Sequence, residues 1–411
     1  MNLSFSHARR IVLEQARSIP VPATESVRLE AAADRILAEP ISADRDLPPF
    51  DRATRDGYAV RSSDLEQIPL RLEVTGELRA GADPQTSSCP VGSGEAIEIM
   101  TGAPMPPGAD CVVMVEYTTR DAGYVTIRRG AAAGENVVRR GLEAGAGEVL
   151  LKIGTRLGPE QIAVAAACGR DPLRVFLKPT IAVLSTGDEV VDVAATPGPN
   201  QIRNSNAFAL RAQIECAGGA ARVLPVAPDE PRQLRALIEE GLACDLLLLS
   251  GGVSMGKHDL VEAALEELGA EFLFTGAEIQ PGRPIVFGAV RSARNPHRKT
   301  TWFFGLPGNP ISTMVCFEIF ARAFVQALSG TEPARLRTAM ARLQSGFNVK
   351  AGLTRFLPAI ISGDFSDPQV AAVPWQGSGD VAAAAKGNCW LIVRPDCERL
   401  QAGELVGVLF R

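Results

Sequence analysis

The sequence repeats one device three times: a run of apolar residues, a glycine-bearing loop and the start of a helix. The copies read IAVLSTGDE from Ile181, LLLLSGGVSMGKHD from Leu246 and FFGLPGNPIS from Phe303. A continuous apolar run suits a strand buried on both faces. Strand-like runs at 181–184, 222–226, 245–249 and 301–304 alternate with helical stretches at 207–216, 230–242, 260–268 and 311–328. That alternation predicts a doubly wound parallel α/β domain over 179–330, whose loops gather at the carboxyl ends of the strands, where ligands bind.

The flanks have a different texture. Residues 7–19 place Ile11, Val12, Ala16 and Ile19 at helical spacing, and Pro20 and Pro22 end the pattern. A second helix is expected over 25–37. From 48 to 140 the chain breaks into short alternating segments separated by Gly and Pro, which predicts a β-rich region. A helix over 159–168, with Pro159 in its first turn, is expected to pack back against the N-terminal helices. From 331 to 411 short strands return and suggest a small β-barrel or sandwich.

Composition narrows the function. With 42 Lys plus Arg against 47 Asp plus Glu, the net charge of -5 gives no overall attraction to nucleic acid or acidic membranes. The eight cysteines are scattered, with no metal-knuckle or redox spacing. The N-terminal stretch does not read as a leader, and no stretch reads as a membrane span, so a cytoplasmic protein is expected.

Helix N-termini attract anions, and glycine lets a backbone approach a phosphate closely, so three such loops together predict a crevice for an anionic ligand. The ordinary reading of each loop alone is capping, by Asp259 or by Asn309 before Pro310. Gly251, Gly256 and Lys257 fit most of a phosphate-binding P-loop, but His258 stands where a Ser or Thr hydroxyl would hold Mg²⁺. In the β-rich region Asp56 precedes Gly57 at the entry to a strand, and Thr101 and Gly102 precede a proline-rich turn.

Taken in order, DGYAV, MTGAPMPPGADCVV, GENVVRRG, LSTGDEVV, NSNAF, SGGVSMGKHD, QPGRP, GLPGNPIS and QGSGD followed by GNC resemble the molybdopterin molybdenumtransferase family, whose members include bacterial MoeA and the gephyrin E domain. The resemblance covers essentially the whole chain. It implies a discontinuous linker domain (1–47 with 141–178), a β-rich insertion domain (48–140), the molybdopterin-binding α/β domain (179–330) and a C-terminal β domain (331–411). It implies a homodimer with composite active sites, each formed by the α/β domain of one chain and the insertion of the other. The reaction implied is Mg²⁺- and molybdate-dependent cleavage of adenylyl-molybdopterin, with release of AMP and insertion of molybdenum. Further implied partners are a molybdopterin adenylyltransferase and acceptor molybdoenzymes.

Carried over residue by residue, the resemblance assigns catalytic positions to Asp56, Thr101, Glu189, Asp229 and Asp259. Substrate-binding positions fall on Ser250, Gly251, Gly252, Ser254, Lys257, Arg283, Pro307, Gly308, Asn309, Pro310 and Ser378. Asp56, Asp259 and Glu189 are candidates to share a Mg²⁺ with substrate phosphate oxygens. Arg55 stands where the family often has Met, and Gly141-Leu142-Glu143 where it commonly has Gly-Glu-Asp. Gly276 and Gln280 replace two lysines of some members, which shifts anion binding toward Arg283, Lys257, Arg139 or Arg140, with Arg283 favoured for its planar fork. Two alternatives remain at this stage: a pterin-binding scaffold without turnover, and an α/β protein of adenylyltransferase or nucleotide-salvage type. The latter group lacks DGYAV and MTGAP.

Overall fold

The computed structural model describes residues 3–83, 90–252, 260–291, 300–333 and 335–411. At its centre is a six-stranded sheet in the order Ala220–Val223, Thr180–Ser185, Leu246–Ser250, Thr300–Leu306, Val286–Arg291, Ala270–Phe274. The first four strands are parallel, as the apolar runs predict. Val286–Arg291 then runs antiparallel to both its neighbours, an extension the sequence reading did not place.

Strand alternation sends successive side chains to opposite faces and so divides the core in two. Ile181, Val183, Leu246 and Leu248 face helices Ser205–Cys216 and Pro310–Leu328, with Leu210, Ile214 and Phe320 buried among them. Ala182, Leu184, Leu247 and Leu249 face helices Pro231–Gly241 and Leu260–Glu267, through Leu234, Ile238 and Leu265. By length and mean hydropathy Pro310–Leu328 could cross a membrane, contrary to the sequence reading, but 83% of it is buried inside the protein. It is a core helix. A π turn at Phe317–Ala321 interrupts it.

The N-terminal helix Phe5–Arg17 buries Ala8, Val12 and Ala16 at four-residue spacing, and Phe5 meets Phe320 edge-on at 5.9 Å. The second helix expected over 25–37 does not form. Thr24–Val27 is a strand paired antiparallel with Leu173–Phe176, followed by a 3₁₀ turn at Leu29–Ala31. Pairing with a distant strand overrides local helical spacing here, and Asp34, at φ 62°, lies outside helical backbone. Ile41–Ser42 pairs with Val149–Leu151. Leu37 and Ile41 are buried with Ala165 of the helix Pro159–Ala167, so that helix packs on the segment after the N-terminal helix, whose own Ala8, Val12 and Ala16 are buried in the α/β core instead.

Between these pairings the β-rich segment forms a six-stranded sheet in the order Cys111–Met114, Gly57–Val60, Glu95–Ile99, Leu70–Leu78, Tyr124–Ile127, Thr118–Asp121. The C-terminal segment resolves the choice between barrel and sandwich. Thr354–Asp364, Asp367–Ala372, Thr338–Leu343, Leu405–Phe410 and Cys389–Val393 close on themselves through the pairing of Arg355–Ala359 with Cys389–Val393. Ile279–Gln280 adds to this barrel in parallel beside Thr354 and Arg355, which ties it to the α/β unit.

Seven free cysteines are described, and burial pushes the Cys111 thiol up to about 12 and the thiols of Cys244, Cys316 and Cys389 upward as well. These four are packing residues rather than reactive thiols.

Gly57 gives the β-rich sheet a sharp test. A Cβ at this position would lie 1.9 Å from the Val113 carbonyl oxygen, whereas one at Gly76 meets nothing within 4 Å. Gly57→Ala is expected to cost at least about 3 kcal/mol by urea unfolding, and Gly76→Ala less than about 0.5 kcal/mol. Equal unfolding midpoints for the two variants would contradict this packing.

Candidate active site

Three parallel strands end side by side. Ser185 is in register with Ser250, and Ser250 with Leu306, so the loops that follow open at one level of the sheet. They enclose a cavity of about 610 Å³, lined among others by Ser185, Thr186, Glu189, Asn204, Asn206, Asp229, Ser250 and Gly308. This is the expected crevice, at the carboxyl ends of the strands.

Asparagines hold the loops together. Asn204 Oδ1 accepts from the Ser185 hydroxyl at 3.0 Å and from the Ala207 N–H at 3.1 Å, so it caps helix Ser205–Cys216 and anchors it to the first strand. Asn206 Nδ2 donates to Ser250 Oγ at 2.9 Å and to the Gly308 carbonyl at 2.7 Å, joining the second loop to the third. Asn309 Nδ2 donates to Ser378 Oγ at 2.9 Å, and the Ile311 N–H donates to the Ser378 carbonyl at 2.9 Å. The barrel segment thereby braces the third loop. Gly251 has φ 96°, and a Cβ there would sit 2.9 Å from the Thr186 carbonyl oxygen, so the second loop passes against the first only as glycine.

Asn206 Oδ1 and Thr186 Oγ1 are buried with no hydrogen-bond partner among the described residues, and both residues line the cavity. An unpaired buried polar atom costs about 1–3 kcal/mol, so two of them at the floor of a crevice are groups suited to a ligand.

Of the positions carried over from the sequence, Glu189, Asp229, Ser250, Gly251, Gly252, Pro307, Gly308, Asn309 and Pro310 line this cavity. Ser254, Lys257 and Asp259 lie outside the described residues. Arg283 is exposed and is not among the lining residues, although its neighbour Pro284 is. Ser378 acts through Asn309 rather than lining the space itself. Gln280 accepts from Arg355 Nε at 2.7 Å, and Glu143 pairs with Arg52 at 2.7 Å, which gives both departures from the family pattern a structural partner. Neither Asn204 nor Asn206 is among the site residues expected from the sequence; the available signal is Asn204, a capping residue opening a helix directly after a loop.

Asp56 and Thr101 form a separate pair, away from the cavity lining. The Thr101 N–H donates to Asp56 Oδ1 at 2.6 Å and its hydroxyl to the same oxygen at 2.9 Å. Those two bonds, the backbone one foremost, hold the exposed Asp56 carboxyl below its ordinary range. Of the arginines offered as alternatives to Arg283 for anion binding, Arg139 meets Asp51 at 3.1 Å and Arg140 meets Asp46 at 2.7 Å. Among the described residues no group of three or more His, Cys, Asp or Glu side chains forms a ready-made metal centre.

The comparisons with known proteins agree along the whole chain. The MoeA N-terminal region (domain I and II) matches residues 3–169, a probable molybdopterin binding domain matches 182–327, and the MoeA C-terminal region (domain IV) matches 340–410. A molybdopterin molybdenumtransferase of Bacillus subtilis is 34% identical over 94% of this chain and 89% of its own length. The chain belongs to the molybdopterin molybdenumtransferase family. A second relative with that name, from Haemophilus influenzae, is 33% identical over 99% of this chain and 98% of its own. The crystal structure of a molybdopterin biosynthesis moea protein from Pyrococcus horikosii has TM-score 0.74 at 34% identity, covering 100% of this chain and 99% of that one.

The Asp56–Thr101 geometry fixes a sign. A carboxyl held low by donors stays ionised as pH falls, until its own depressed pKa is reached. Thr101→Val removes the hydroxyl bond and keeps the backbone one, so the Asp56 pKa is expected to rise toward its ordinary value, read by carbon-13 NMR of the carboxyl. The acid limb of activity should move to higher pH with it. An Asp56 titration unchanged by the substitution would contradict the hydrogen-bond assignment.

Proposed function

We propose that this chain is a molybdopterin molybdenumtransferase, inserting molybdenum from molybdate into adenylyl-molybdopterin with release of AMP. The observation that carries this reading is near full-length similarity to enzymes of that name, in a chain whose α/β unit opens a strand-end cavity. Similarity on both sides of the α/β unit also weighs against an adenylyltransferase or salvage protein, which would use that unit alone.

In this proposal the cavity takes the pterin-bearing part of the substrate. Asn206, fixed through its amide nitrogen, offers Oδ1 to a ligand N–H, and the Thr186 hydroxyl offers a second polar contact. Fixing these groups in advance lowers the ordering cost of binding. Mg²⁺ takes one or two carboxylates and keeps waters and substrate phosphates as its other ligands. The exposed carboxylates of Glu189 and Asp229 on the cavity wall fit that requirement without a pre-built cage. Mg²⁺ would be held by one or two carboxylates drawn from Glu189, Asp56 and Asp259, and when bound would neutralise charge on the phosphoanhydride.

Asp56 and Thr101 do not line the cavity of their own chain, which supports a homodimer in which one subunit supplies them to the other's strand-end loops. Asp56→Asn keeps the shape and removes the charge; Glu189→Gln does the same on the cavity side. Each variant alone is expected to release AMP at below about one-tenth of the wild-type rate with adenylyl-molybdopterin, Mg²⁺ and molybdate. Co-expressed, they should recover about a quarter of wild-type activity, since half of the dimers are mixed and each mixed dimer has one intact site of two. No recovery on mixing would place both residues in a site within one chain. Wild-type protein that releases no AMP would overturn the enzymatic reading.

A further inference from the structure

A second and larger space, about 850 Å³, lies away from the strand-end loops. Its walls come from the N-terminal helix, helices Ser205–Cys216 and Pro310–Leu328, and the C-terminal barrel. Six arginines line it: Arg9, Arg156, Arg322, Arg335, Arg337 and Arg411. Against them stand three carboxylates, Asp34, Glu215 and Glu318, of which Asp34 pairs with Arg156 at 2.9 Å and Glu215 with Arg211 outside the cavity. The space is cationic on a protein whose net charge is -5.

Unpaired polar atoms mark it as a site. Among the described residues six buried side-chain N or O atoms lack a hydrogen-bond partner; two are in the strand-end cavity, and three, Gln213 Oε1, Glu318 Oε2 and Arg322 Nε, belong to residues lining this one. Glu318 is only 4% exposed. Arg322 Nε lies 2.6 Å from Glu318 Oε1, an ion contact in which its N–H still lacks hydrogen-bond geometry. Glu318 belongs to the π turn Phe317–Ala321, and Arg322 follows it directly. Such turns are rare, and they recur at functional sites.

The chemistry of these groups specifies a ligand with two different ends. Glu318 Oε2 and Gln213 Oε1 are acceptors suited to N–H donors, whereas the guanidinium groups on the exposed rim, Arg335 and Arg337, the latter also donating to the Arg411 carbonyl, attract an anion. Met314 and Leu336 supply an apolar wall for a flat ring, and behind them the buried Trp390 carries Arg411 over its ring at 4.3 Å. We infer that this cavity binds a nucleoside monophosphate, with the amino-bearing base toward Glu318 and Gln213 and the phosphate toward Arg335 and Arg337. The inference is independent of the reaction proposed for the strand-end cavity.

Cys216 is an exposed free thiol on the cavity wall and serves as a local reporter, with Cys397 as a control thiol on the barrel. The probes are AMP, GMP and inorganic phosphate, added to the full chain, with alkylation of each cysteine followed by peptide mass spectrometry and affinity by titration calorimetry. AMP or GMP should slow alkylation of Cys216 and leave Cys397 unchanged, while inorganic phosphate, which lacks the base, should protect at least about tenfold less well at equal concentration. Arg335→Ala with Arg337→Ala, both on the exposed rim, should weaken the Kd about tenfold or more, and Gln213→Leu should do so without changing phosphate affinity. Asn206→Ala, in the other cavity, should leave Cys216 protection intact. The inference is overturned if neither nucleotide protects Cys216, if the rim variants bind as wild type does, or if Asn206→Ala alone abolishes the protection.

Discussion

The shared ending of three parallel strands is the constraint on which the rest of the site depends. Because Ser185, Ser250 and Leu306 sit in one row of the sheet, three loops spread over more than a hundred residues of chain emerge next to one another. Each strand alone would give a loop over a helix start. Together they give a walled space, and Asn206, bonded to both Ser250 and Gly308, fixes the distance between two of its walls. Those bonds consume its amide nitrogen and leave its carbonyl oxygen unpaired. Bracing of the loops and presentation of a recognition group are thus performed by one side chain.

The same sheet couples the remaining units to the site. Its strands turn alternate residues to two cores, and the helix Pro310–Leu328 that fills one of them starts from the third loop. The barrel is attached twice: through the short strand Ile279–Gln280, and through Ser378, which holds Asn309 and Ile311. The β-rich sheet carries Asp56 and Thr101 as a rigid pair, since Thr101 donates twice to one carboxylate oxygen.

Much of this was legible in the sequence wherever a local pattern and the tertiary outcome coincide. The apolar runs at 181–184 and 245–249 are strands because nothing but a doubly covered sheet can bury them, and the glycines after them mark the loops. The segment 25–37 misled because its spacing suits a helix while its actual partner, Leu173–Phe176, is more than a hundred residues away. The antiparallel strands Ala270–Phe274 and Val286–Arg291 escaped notice for a similar reason: their pairing is set by the neighbouring strand rather than by a local signature. In the site, the glycines and prolines were visible as punctuation. The roles of Asn204 and Asn206 were not, since an asparagine near a helix start reads as a cap whether or not its other atoms reach neighbouring loops.

The central claim is that the strand-end space bounded by Thr186, Asn206, Ser250 and Gly308 holds the pterin-bearing ligand. The most direct measurement is a crystal structure of the protein with adenylyl-molybdopterin in the absence of molybdate. The account predicts ligand density within that space, with a ligand N–H on Asn206 Oδ1 and a polar ligand atom on Thr186 Oγ1. A pterin bound elsewhere on the molecule, with both atoms still unpaired, would contradict it.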